Sequence, residues 1–173
     1  MANTYTLISS NVLSSSAASV TFSAIPATYT DLVLRSSVRG SRTGFFDLYY
    51  IELNSDTTTL YSNTYLLGNG STASSSRGSN SSGFPMFASP IDTANATSNT
   101  FSSNEMYIPN YTSTASKQIS DFGALENNAT AAEMRASAIL YRNTSAISSI
   151  KLTPGVGTFD SGSSFYLYGL KSS

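Results

Sequence analysis

The sequence predicts an all-β fold: an antiparallel sandwich of eight to ten short strands, wound in jelly-roll or Greek-key fashion. Three observations lead there. Apolar and polar residues alternate with a period of two through most of the chain, the pattern of a strand with one buried and one wet face. Clusters of Gly, Pro, Ser and Asn cut these runs short. Long irregular crossings between several of the runs favour a jelly roll over a ladder of simple hairpins.

Residues 1–18 read as an N-terminal arm or a first strand, ahead of a single sandwich domain over 19–173. Val20, Phe22 and Ala24 alternate with Ser19, Thr21 and Ser23, and Ile25-Pro26 ends that strand. In the next strand Leu32, Leu34, Ser36 and Val38 line one face. Residues 45–53 resume with apolar side chains on both faces, which marks a central or covered strand. Residues 60–67 make a fourth strand, stopped at Gly68-Asn69-Gly70. The 68–83 stretch is almost entirely Gly, Ser, Asn and Thr; it cannot bury a face and reads as a long surface loop. Phe84, Met86 and Phe87 return the chain to the body, and 89–99 reads as a second loop.

Met106 and Ile108 belong to a strand stopped by Pro109, which cannot donate to a ladder. Over 116–125, Ile119, Phe122 and Leu125 keep a three-residue spacing, so strand and helix both stay open. Residues 133–141 alternate again, which places Met134, Ala136, Ala138 and Leu140 inward. Good helix formers over 131–140 make a helix the alternative there. Residues 147–153 and 164–170 complete the count, on either side of Pro154-Gly155-Val156-Gly157.

Composition narrows the function. The chain of 173 residues has no His, Cys or Trp, and only 11% of it is charged. Ser and Thr make up about a third of it, well above ordinary usage. Without Cys there are no disulfides or thiolate sites. Without His the commonest general base is missing. Asp47 and Glu52 are five positions apart, so on one strand they point to opposite faces and cannot act as a carboxylate pair. No catalytic residue and no cofactor is expected. Asn54, Asp56, Asp92 and Asn95 could offer oxygens to Ca²⁺, yet Asn and Asp are first of all turn formers, and no metal site is expected. The net charge of −1 gives no footprint for nucleic acid or an anionic membrane. No apolar run is long enough to span a bilayer, and the N-terminus lacks the pattern of a signal peptide. Six Asn-x-Ser/Thr sites, at Asn69, Asn80, Asn95, Asn110, Asn128 and Asn143, follow from the composition.

The candidate residues are therefore those of an interface. Tyr presents both a ring and a hydroxyl and suits protein and carbohydrate contacts alike. Phe45, Tyr49 and Tyr50 lie on the strand that is apolar on both faces, and Tyr5, Leu7 and Leu13 lie in the N-terminal segment. Arg35 and Arg39 share a strand face, with Asp31 or Glu52 as expected partners on the sheet or an acidic neighbour across a subunit contact. The 68–83 and 89–99 loops, with Tyr65 of the fourth strand and Arg77, are the candidates for a glycan site.

Residues 22–34 (FSAIPATYTDLVL) resemble a segment of short, Ser/Thr-rich virion structural proteins of tailed bacteriophages. The pieces 68–77 (GNGSTASSSR), 105–111 (EMYIPNY), 150–154 (IKLTP) and 167–170 (LYGL) agree with it, so the similarity runs from about residue 20 to 170. These are scaffold motifs and transfer no catalytic or ligand residue. The resemblance implies a jelly-roll-like domain on the outside of a virion. The expected function is non-enzymatic: an oligomeric capsid decoration (cement) protein, a homotrimer bound to a major capsid or other virion protein. It would be made in the host cytoplasm and mounted on the virion surface. The alternative is a tail-fibre or receptor-binding module that recognises a host glycan. A fibre tip follows an anchor and a shaft, for which a strand-like start at Met1 leaves no room, and this favours decoration.

Overall fold

The computed structural model describes residues 5–81, 87–128 and 131–171. They form twelve strands and, among the described residues, no helix. The strands are β1 (Tyr5–Val12), β2 (Val20–Phe22), β3 (Asp31–Val38), β4 (Phe46–Leu53), β5 (Tyr61–Gly68) and β6 (Ala73–Ser81), then β7 (Phe87–Asp92), β8 (Ser102–Ile108), β9 (Lys117–Glu126), β10 (Ala132–Tyr141), β11 (Ile150–Pro154) and β12 (Ser164–Leu170). Eight make one sheet in the order β1-β12-β3-β8-β9-β10-β5-β6, and four make a second in the order β2-β11-β4-β7. Every pairing between them is antiparallel.

The winding is that of a jelly roll with two insertions. The first and last strands pair, β1 with β12, and the chain passes from one sheet to the other along β1, β2, β3 and β4 and again at β7 to β8 and β11 to β12. That sets β1-β12-β3-β8 against β2-β11-β4-β7, four strands per sheet, as two interlocked Greek keys require. The antiparallel pair β5–β6 is inserted between β4 and β7, and β9–β10 between β8 and β11. Both insertions extend the larger sheet beyond β8.

The alternation places the core. Val20, Phe22, Leu32, Leu34, Val38, Ile51, Leu53, Ile150, Leu152, Phe165 and Leu167 are buried between the sheets. Four tyrosines, Tyr49, Tyr61, Tyr111 and Tyr141, are fully buried with them. Each finds a polar partner for its hydroxyl, as a buried phenol must. Tyr49 Oη lies 3.3 Å from Ser36 Oγ, the Leu53 N–H donates to Tyr61 Oη at 3.1 Å, Tyr141 Oη donates to Asp56 Oδ2 at 2.8 Å, and Tyr111 donates to the Pro26 carbonyl.

Several sequence expectations are corrected. The 73–81 stretch, expected as loop, is β6, paired with β5 through a turn at Asn69–Thr72 whose Asn69 Oδ1 accepts from the Thr72 N–H at 2.8 Å. As the outermost strand of the sheet it can be wet on both faces, so it needs no apolar alternation, and residues 73–77 are all exposed. Residues 87–92, expected partly as loop, are β7 at the edge of the small sheet, where Pro90 costs little because one side of the strand carries no ladder. The strand read over 133–141 is present as β10, and the alternative helix over 131–140 does not form, because ladders to β9 and β5 on both sides outweigh helix propensity. The 116–125 stretch is likewise a strand, β9. Strand β11 begins at Ile150 rather than at residue 147. Phe84 and Met86 lie outside the described residues.

Where the β9–β10 insertion meets the jelly roll, β7 packs against β9 with little space. A Cβ on Gly123 would stand 2.5 Å from Pro90 Cδ and 2.6 Å from Asn104 Oδ1. The proline ring cannot swing aside. Gly123→Ala is expected to lower stability by about 1–3 kcal/mol, seen as a drop of several degrees in Tm with the all-β circular dichroism spectrum retained.

Candidate functional site

Successive side chains of a strand point to opposite faces, so the register of the eight strands fixes what stands together on the outer face of the large sheet. One row across it runs Leu7, Tyr168, Val33, Tyr107, Ser120, Ala138, Thr64 and Arg77; the next includes Tyr166, Arg35, Glu105, Phe122, Ala136 and Leu66. Of the ten exposed large hydrophobic residues among those described, seven stand on this face: Tyr5, Leu7, Val12, Leu66, Tyr107, Phe122 and Met134. Clustering of that kind marks a surface built to be covered or occupied.

Two regions divide the face. Near the β1 edge, Arg35 Nε donates to Glu105 Oε2 at 2.7 Å, and its guanidinium lies 5.0 Å from the centroid of the Tyr5 ring. Tyr5 in turn meets Tyr168 edge-on at 5.9 Å. Beyond Glu105 a trough of about 460 Å³ opens over β8, β9, β10 and β5. Its floor is Ala136 and Ala138, and Tyr107, Phe122, Leu66, Thr64, Ser120 and Glu105 surround it. Tyr107 Oη donates to Asp31 Oδ2 at 2.8 Å, and the Asn110 N–H holds the other Asp31 oxygen at 2.8 Å. A second trough of about 330 Å³ lies across Glu105 and Phe122, lined among others by Arg35, Ser37, Ser103, Ser164 and Tyr166.

The structure brings Tyr5, Leu7 and Arg35 together and disperses the other expected interface residues. Leu13 is half-buried against the core, its N–H donating to the Ser163 carbonyl at 2.9 Å. Tyr49 is 1% exposed and meets Phe159 edge-on, so it is a core residue and no interface residue. Tyr50 is half-buried on the outer side of the other sheet, and Phe45 lies exposed just before β4; neither belongs to this face. Arg39 does not share a surface with Arg35. It is folded onto the 96–100 segment, donating to the carbonyls of Ala96, Thr97 and Thr100, with Asp160 at 3.9 Å. The expected acidic partners differ as well: Arg35 takes Glu105, and Glu52 faces Lys151 at 3.8 Å. Tyr65 and Arg77 cannot form one glycan site, because Tyr65 lies on the inner face beneath Arg135 while Arg77 is on the outer one.

Asp47 and Glu52 do point to opposite faces. Asp56 and Asn54 tie loops, Asp56 accepting from Thr58, Tyr141 and Asn143 and Asn54 from Ser148 and Ser149. Among the described residues no three acidic side chains gather as a metal site would need.

The site residues that the sequence did not single out are Phe122, Leu66, Met134, Ala136 and Ala138. Met134, Ala136 and Ala138 point outward, reversing the expectation, and Glu133, Arg135 and Ser137 are the buried set. The alternation was legible in β10; its direction was not, since the inner face here is polar. Compared with known protein families, with curated proteins and with solved structures, the chain has no match.

That inner polar cluster has a pH signature. Arg135 Nε donates to Glu133 Oε1 at 2.6 Å and its guanidinium stacks 4.5 Å from the Tyr65 ring centroid. Asp121 is buried beside them and accepts from Ser89 Oγ at 2.6 Å. Burial pushes the Asp121 carboxyl up to about 7, against the opposing pull of the Ser89 hydrogen bond and the charge of Arg135. Between pH 4 and 7 the folded chain then holds a proton that the unfolded chain has released, so stability falls as pH rises through this window and levels off above it. The span from 3.8 to about 7 corresponds to at most about 4 kcal/mol. Asp121→Asn is expected to flatten the decline of Tm between pH 4 and 7, and an unchanged pH profile would exclude Asp121 as its source.

Proposed function

We propose that this chain is a non-enzymatic virion structural protein of a tailed bacteriophage, an oligomeric decoration (cement) protein on the outer surface of the capsid. The observation that carries the reading is the β1 edge. An edge strand offers unpaired N–H and C=O groups, and folded proteins blunt it with charge, proline or a cover. Strand β1 (YTLISSNV) has no charged residue and no proline, only a register shift between Leu7 and Ser9. Its outer side chains Tyr5, Leu7 and Val12 are 46%, 51% and 59% exposed. An uncharged edge of eight residues with three exposed apolar side chains is suited to a protein that spends its life docked.

The phage resemblance of residues 22–34 and the jelly-roll winding support the same reading, as does a net charge of −1, which leaves little repulsion between copies. The mechanism is passive. Copies assembled as a homotrimer on a capsid symmetry axis make the same contact with the major capsid protein several times. Individually modest contacts then act together, and the shell resists expansion. No cofactor is needed, and neither nucleic acid nor membrane is a partner.

Purified protein mixed with undecorated capsids is expected to bind saturably and to raise the melting temperature of the shell. Leu7→Ser combined with Val12→Ser is expected to reduce occupancy about tenfold or more while leaving the protein's own Tm within a few degrees. Failure of the wild-type protein to attach to capsids at micromolar concentration overturns the proposal.

A further inference from the structure

The trough on the outer face, away from the β1 edge, has a chemistry of its own. A pyranose ring presents an apolar C–H face and a rim of hydroxyls, so a site for it needs an exposed ring, close approach to the backbone, and neutral or paired polar groups around the edge. All three are present. Phe122 stands 48% exposed as one wall and Tyr107 36% exposed as another. The floor is made of the Ala136 and Ala138 methyls, so a ring can approach the sheet closely. At the rim the Glu105 carboxylate has one oxygen on Arg35, and the Tyr107 oxygen, its proton given to Asp31, presents lone pairs.

We infer that this trough binds a neutral, hexose-containing polysaccharide. Neutrality follows from the rim, where the one exposed charged group of the trough, Glu105, is matched by Arg35 and an acidic sugar would meet a carboxylate with no free cation beside it among the described residues. A polymer rather than a single sugar follows from the second trough across the Phe122–Glu105 ridge, whose lining adds Tyr166 and the hydroxyls of Ser37, Ser103 and Ser164. Together the two cross from β5 to β12, six adjacent strands. At roughly 4.8 Å per strand that is about 24 Å, room for several sugar rings. A protein partner would instead need a broad flat contact, and the hydroxyl-lined hollow favours the sugar. The inference goes beyond the decoration reading and does not depend on it.

The test is an array of neutral glucan, mannan and galactan oligosaccharides, followed by calorimetry on those that bind, with alginate as the acidic control. Wild-type protein is expected to bind at least one neutral series saturably at micromolar to millimolar concentration and not alginate. Phe122→Ala, which removes an exposed ring, and Ala136→Trp, which fills the floor, are each expected to weaken binding about tenfold or more; circular dichroism checks that both are folded. The Leu7→Ser, Val12→Ser variant is expected to bind the sugar as wild type does, which separates this site from the capsid contact. Absence of binding to every neutral series, or full binding by folded Phe122→Ala, overturns the inference. So does loss of capsid attachment in Phe122→Ala with no sugar bound by the wild type, which would make the trough a protein contact.

Discussion

The sheet of β2, β11, β4 and β7 spans only half the width of its eight-stranded partner, and much of the rest of the molecule answers to that mismatch. Over the jelly-roll half the two sheets face each other and the interior is apolar, from Val20 and Phe22 through Ile51 and Leu53 to Phe165 and Leu167. Over the extension the inner face carries Asp121, Glu133, Arg135 and Ser137. The ionisable ones are buried with partners, Arg135 with Glu133 and Asp121 with Ser89 of β7, since an unpaired charge in that position would cost several kcal/mol. Strand β7 is the hinge of the arrangement in the carpenter's sense: it closes the small sheet and braces β9 at Gly123.

How much of this was legible in the sequence follows the same division. Strands β2, β3, β4, β5, β8 and β12 were readable because each carries an apolar face toward a conventional core, as Leu32, Leu34 and Val38 do in β3. Strand β6 was not, because an outermost strand with two wet faces has no apolar period to detect, only hydrogen bonds to β5. In β9 the three-residue spacing of Ile119, Phe122 and Leu125 left strand and helix both open. In the folded chain Phe122 lies on the opposite face from the other two. Most of the candidate site was hidden by this: its floor is in β10 and its principal ring in β9, the two strands whose inner faces mix buried polar side chains (Asp121, Glu133, Arg135, Ser137) with apolar ones (Ile119, Leu125, Ile139). Tyr5, Leu7 and Arg35 could be found because they lie where a simple strand reading applies.

The surface is neutral for a reason that is also structural. Only 11% of the residues are charged, and several of those at the surface are paired, Arg35 with Glu105, Arg42 with Asp47 and Lys151 with Glu52. Exposed pairs of this type add little stability. What they do is cancel fields. The hydroxyls of Ser and Thr are then left to keep the outer faces wet without conferring a charge that would select or repel a partner at long range. Recognition on such a surface depends on short-range shape, ring faces and hydrogen bonds.

The parity of the large sheet has a further geometrical consequence. Eight strands, every pair antiparallel, make the two outermost strands β1 and β6 run in opposite directions. A second copy brought alongside in the same orientation would set its β1 against β6 with the alternation unbroken, whereas an odd number of strands would force one parallel joint at the seam. The chain therefore carries two directionally matched ends on one body, and a simple turn about an axis along the strands, with no inversion, is the only operation needed to join them. Such an operation closes into a ring when its angle divides the full turn, and otherwise leaves the array open.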